Sequence, residues 1–252
     1  MTSDKELLKK RFIELAKKSY NAGIYTFTDF LGLAEQSAFS EIKKDIRGIP
    51  YTAFGGAEGA ERVIIRFGSE EVCSYDQPFP ISVVKIEPSS QKFADKLTHR
   101  DFLGSILNLG IERDTLGDIV IIDNVGYLFA NEDIATYIVD SLIRVKHTDV
   151  RVSVVDSLPE GELYRTESRI VQVSSERLDA VVARVFSMSR EDSQSLFTKG
   201  LVFADGRQIE SASYQPKINE KISVRGHGRF IYLGQKSLSK KGKLNVEVNL
   251  YV

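Results

Sequence analysis

The chain has 252 residues, with 34 Lys/Arg against 35 Asp/Glu for a formal net charge of -1, and 42% of it is apolar. That balance excludes a disordered chain. The single cysteine, Cys73, excludes an internal disulfide and points to a reducing compartment. No run approaches the roughly 18 apolar residues that a membrane span needs. At roughly 100–200 residues per domain, two or three domains are expected. The opening MTSDKELLKKRF has no apolar stretch before a small-residue cleavage site. No signal peptide is therefore expected, and a cytoplasmic location is.

In chain order, residues 4–20 carry Leu7, Leu8, Phe12, Leu15 and Ala16 at helical spacing, with most lysines off that stripe. A second helix is expected over 27–47, with Thr28 or Ser40 as caps. Gly55, Gly56 and Gly59 form a turn before a strand at 62–67. Residues 1–75 thus read as a small α+β domain.

From Pro80 the alternation is clearer. Strands are expected at 81–88, 118–124, 125–130 and 149–156, and helices at 97–111 and 131–145, the second capped by Asn131. The order βαββαβ over 76–167 is the split-βαβ, ferredoxin-like pattern. Residues 158–167 read as a polar connection.

Residues 168–252 form the third part. Ser175 is expected to cap a helix running to Phe186, with Leu178, Val181, Val182 and Val185 inward. Ser189 opens a second helix with Asp192 three residues on, a capping-box spacing. Gly200 suits the C-terminal cap, and Asp205-Gly206 a hairpin turn. Strands follow around 222–234 and at the C-terminus. This part holds 14 Lys/Arg against 8 Asp/Glu, while residues 1–167 hold 20 against 27. A basic third on an acidic body predicts an anionic partner.

The third part resembles an S4 RNA-binding domain. Arg177-Leu178-Asp179 opens the first helix, Ser189-Arg190 the second, and Lys199-Gly200-Leu201-Val202 leads into the Asp205-Gly206 hairpin; Ile222-Ser223-Val224-Arg225-Gly226 follows. Phosphate binding is expected at Arg177, Ser189, Arg190, Lys199, Arg207, Arg225 and Arg229. Asp179 reads as a structural partner of a nearby arginine or backbone group, and Phe230 and Tyr232 as core. Residues 53–67 and 98–119 resemble the corresponding segments of YlmH-type proteins. That resemblance implies an N-terminal α+β domain, an RRM-like middle and a C-terminal S4 domain. It also implies a cytoplasmic bacterial RNA-binding protein encoded near cell-division genes and acting on the large ribosomal subunit, where relatives rescue stalled peptidyl-tRNA.

Further RNA-contact candidates lie in the middle part. Tyr127 and Phe129 share a strand face, where they either stack bases or pack in the core. His99, Arg100 and Asp101 either cap their helix or touch RNA. They are not a kinase catalytic loop, because position 106 is Ile rather than Asn. Cys73, His99, His147 and His227 lack metal-ligand spacing, and GGAEG lacks the Lys of a phosphate-binding loop. No catalytic residue, cofactor or metal is expected. The expected partners are rRNA, tRNA, the large subunit and division proteins. A division-apparatus scaffold with secondary RNA affinity and an RNA-modifying enzyme are the alternatives.

Overall fold

The computed structural model describes residues 4–159, 163–239 and 242–251. It is an α+β chain that packs as two units. The first comprises residues up to Glu35 and Glu41–Leu163; the second comprises Gln36–Ser40 and Tyr164 onward. The two N-terminal parts expected from sequence lie together in the first unit.

That unit opens with α1 (Asp4–Ala22), which buries Phe12, Leu15, Ala16 and Ser19 on one face. Leu7, placed on that stripe by its spacing, is exposed. The helix expected over 27–47 is shorter. Thr26–Phe27 form a strand, β1, and helix α2 covers only Leu33–Glu41. Thr28 caps nothing: its backbone N–H donates to Ile65 and its hydroxyl accepts the Ile65 N–H. Strand pairing has overridden a helix-like spacing of apolar residues. Ser40 donates to the Ser37 carbonyl inside α2 rather than capping it. β2 (Tyr51–Phe54) and β3 (Ile64–Phe67) complete a sheet of order β1-β3-β2, and α3 (Glu70–Cys73) follows.

The middle part has β4 (Ile81–Pro88), α4 (His99–Leu107), β5 (Leu116–Ile122), β6 (Val125–Asn131), α5 (Glu132–Ser141), β7 (Arg144–Val145) and β8 (Thr148–Val155). Its antiparallel sheet runs β5-β6-β4-β8-β7. Without the short β7, the order is second, third, first, fourth, which is the ferredoxin-like arrangement. Asp123 and Asn124, expected at the end of β5, instead form its two-residue turn into β6, with φ of 49° and 65°. Val84 and Ile86 on β4 pack with Phe102 and Ile106 of α4 and Ala135 and Ile138 of α5. Asn131 precedes α5 as expected, but its side chain makes no capping bond.

The two parts of this unit are clamped together. Asp118 on β5 accepts the N–H groups of Glu61 (2.7 Å) and Arg62 (3.1 Å). The Arg62 guanidinium donates to the carbonyls of Leu116 (2.8 Å), Phe30 (2.7 Å) and Arg113 (3.2 Å). Gly56, at φ 95°, lies so close to Phe129 that an added Cβ would meet the ring at 2.2 Å.

The second unit contains β9 (Thr166–Val173), α6 (Leu178–Val185), α7 (Arg190–Thr198), β10 (Val202–Ala204), β11 (Arg207–Gln208), β12 (Lys221–Val224), β13 (Gly228–Leu238) and β14 (Leu244–Tyr251). Their order in the sheet is β11-β10-β12-β13-β14-β9. β9 takes up the last two residues of what reads in sequence as a polar connection over 158–167, and the first six residues of the third part. It is an edge strand paired along its whole length with β14. One apolar cluster joins α6 and α7 to Val224, Phe230, Tyr232, Val246 and Val248.

Candidate nucleic-acid interface

Helix α6 begins after Arg177, not at Ser175. Its first N–H groups need no side-chain cap, because Leu178 and Asp179 donate to the carbonyls of Tyr214 and Ala212. This start places Asp179 in the interior at 0% exposure. A buried carboxylate requires partners, and Asp179 has several. Arg177 donates to it through Nε (3.1 Å) and a terminal nitrogen (3.2 Å). Arg190 donates through Nε at 3.2 Å, Gln194 at 2.9 Å and the Ala180 N–H at 3.0 Å. Burial alone would raise the Asp179 pKa, but hydrogen bonds from Gln194, Arg177 and Arg190 hold it below the usual carboxylate value.

One buried anion therefore fixes two arginines whose side chains stay 39% and 49% exposed. The local charge is net positive. Arg190 uses only Nε on the carboxylate. Two guanidiniums held side by side with exposed edges suit phosphate oxygens.

α7 carries the next candidates. The Ser189 hydroxyl accepts the Asp192 N–H (3.0 Å) and donates to the Asp192 carboxylate (2.6 Å), so this side chain is a helix cap. Lys199 ends the helix, and Gly200 follows in the left-handed region at φ 66°. At about 1.5 Å per residue, Lys199 lies roughly one short helix length from Arg190.

The remaining arginines lie over aromatic rings rather than on Asp179. Arg207 lies over the Tyr214 ring at 5.7 Å and Arg225 over Phe203 at 5.6 Å. Arg229 sits over Tyr164 at 4.7 Å and Tyr251 at 4.3 Å. Phe230 is in the core with α6 and α7, so strand alternation puts Arg229 on the opposite face of the sheet. Phe230 and Tyr232 are core residues, and the Tyr232 hydroxyl donates to Glu176. Burial first, then that bond, raises the Tyr232 pKa.

In the middle part, Thr98 and Asp101 form a reciprocal capping box at the start of α4, and the Thr98 bonds hold the Asp101 pKa down. His99 and Arg100 are exposed. Desolvation of the His99 ring and the nearby Arg113 guanidinium lower the His99 pKa. Phe129 has 0% exposure and offers no face to a base. Tyr127 is half-buried and pairs across the sheet with Lys85, on the face opposite the helices. Ser153 continues that row, and Lys85 and Arg151 flank Glu87 at 2.8 and 3.8 Å.

The sequence reading missed Gln194 as a further holder of Asp179, although it stands four residues after Arg190, one turn along the same helix face. It also missed the cationic Lys85 and Arg151, which share a face with Tyr127 at strand spacing. Among the described residues no group of three or more His, Cys, Asp or Glu could hold a metal ion, and no helix is long and apolar enough to cross a membrane.

Comparison with known proteins bears on this interface. Residues 75–158 match the family described as "Putative RNA-binding domain in YlmH". Over 228 residues the chain is 29% identical to "Ribosome-associated protein quality control protein P2" of Bacillus subtilis (strain 168), covering 87% of this chain and 84% of that protein. The solved structure titled "Cell division protein ylmH from Streptococcus pneumoniae" shares 24% identity and a TM-score of 0.47, over 62% of this chain and 93% of that one.

Proposed function

We propose that the chain is a YlmH-type protein, a non-enzymatic RNA-binding protein of the ribosome. Its second unit acts as an S4-type domain that docks on structured RNA, namely rRNA of the large subunit, with peptidyl-tRNA as a further ligand. The process served is ribosome-associated quality control, and its place is the cytoplasm. The observation that carries this reading is the buried Asp179 carboxylate holding Arg177 and Arg190 together with exposed edges. The similarity to the Bacillus protein named for ribosome-associated quality control supports it over most of both chains. The matched middle part adds a second contact surface of Lys85, Tyr127 and Arg151.

The test is binding of the Arg177→Ala/Arg190→Ala/Lys199→Ala variant to purified large ribosomal subunits across a potassium chloride series. Each lost phosphate contact removes about 0.9 from the slope of log affinity against log salt. The variant is expected to bind at least tenfold more weakly at low salt, with a flatter slope. Unchanged affinity and slope would refute the assignment.

A further inference from the structure

A second cationic feature lies beside the Asp179 cluster. A cleft of about 310 Å³ opens between α6, the α6–α7 turn, the end of β9 and Lys243, the residue before β14. Its lining includes Arg184, Arg190 and Lys243, and no Asp or Glu. The room comes from small side chains: Ala180 and Ala183 on α6 form part of the wall, with Met188 beside them. Arg184 and Lys243 are exposed and pair with no carboxylate among the described residues. Arg190 belongs both to this cleft and to the Asp179 cluster.

We propose that this cleft seats a phosphodiester of the bound RNA, with Arg184 and Lys243 closing on the phosphate and Ala180, Ala183 and Met188 facing the sugar. The proposal rests on the RNA-binding reading of the second unit and extends its surface from Arg177 through Arg190 to Lys243. Two cations without a carboxylate partner, beside the partly exposed Arg190 and with no acid in the lining, call for an anion. Continuity through Arg190 favours the RNA backbone over an acidic peptide. The neutral, small-residue wall leaves space for a ribose that a purely ionic patch would not need.

The experiment compares wild type, Arg184→Ala/Lys243→Ala and Arg177→Ala/Arg190→Ala for binding to purified large ribosomal subunits across a potassium chloride series. Poly-glutamate serves as a second probe, and thermal melting checks the fold. Both substituted cleft residues are exposed, so the melting curves are expected to coincide. The cleft variant should bind the subunits about tenfold more weakly, with a salt slope flatter by about 2, from two lost contacts at about 0.9 each. If it keeps wild-type affinity and slope while the Arg177/Arg190 variant loses both, the cleft assignment is overturned and the RNA reading stands. If neither variant changes, the RNA reading falls and the cleft assignment with it. Weaker binding with an unchanged slope would also overturn the proposal, because no phosphate contact would have been lost. So would poly-glutamate binding that depends on Arg184 and Lys243 when subunit binding does not.

Discussion

Asp179 is the residue on which the proposed interface turns. Removing it would leave two guanidiniums at short range without the anion that holds them. A fully buried pair broken in this way costs about 3–5 kcal/mol. Both arginines are partly solvated here, so a loss of about 1–3 kcal/mol is expected for Asp179→Ala, measured by urea unfolding. The pH dependence has a definite sign. The folded pKa of Asp179 lies below its unfolded value, so its contribution is present above about pH 4 and is lost as pH falls through the folded pKa. Asp179→Asn removes that charge, so its stability is expected to fall less on acidification below about pH 4 than that of wild type. Parallel acid unfolding curves for the two proteins would show that Asp179 has no such linkage. Sequence reading did reach this residue, as a structural partner of a nearby arginine or backbone group. It could not show that one carboxylate serves both arginines, since that depends on how α6 and α7 pack.

Among the elements, the clamp between the Gly-rich turn and β5 decides how the first unit behaves. Arg62 donates to three carbonyls from distant segments, and burial lowers its pKa. Burial and Arg62 together push the pKa of Arg113 down to about 10. Arg62→Ala is expected to destabilise the chain by about 2–3 kcal/mol, because three buried acceptors lose a charged donor. A change below about 0.5 kcal/mol in chemical denaturation would contradict the clamp.

Elements governed by local rules were legible in the sequence. β4 was placed over 81–88 by its alternation, α7 by Ser189 and Gly200, and the β10–β11 turn by Asp205-Gly206, whose φ values are 46° and 74°. Elements governed by remote contacts were not. In β9, TESRIVQV, only Val173 at its end is buried, so residues 168–173 of this edge strand carried no one-sided apolar pattern and were not read as a strand. The 27–31 segment has apolar residues at helical spacing, but its backbone pairs with β3. Phe129 is covered by Gly56 and Gly117, the first of which lies more than seventy residues upstream, as no local period could show. The position of Arg229 away from Arg177 and Arg190, by contrast, was already implicit in strand alternation next to Phe230.

At the scale of the whole molecule, the basic excess of residues 168–252 coincides with the unit that carries Arg177, Arg190 and the cationic cleft. The acidic remainder includes the part matched to the YlmH RNA-binding family, where local faces such as Lys85 and Arg151 offset the overall charge. Binding to a polyanion through such a surface releases counterions and must weaken as salt rises. The most direct test of the central claim is therefore sucrose-gradient sedimentation of cell lysate at low and high salt, following wild type and Arg177→Ala/Arg190→Ala in each fraction. Wild type is expected to travel with large subunits or whole ribosomes at low salt and to move toward the top at high salt, while the variant stays near the top throughout. Wild type remaining at the top under both conditions, or the variant travelling with the particles as wild type does, would contradict a ribosomal role for the Asp179-centred interface.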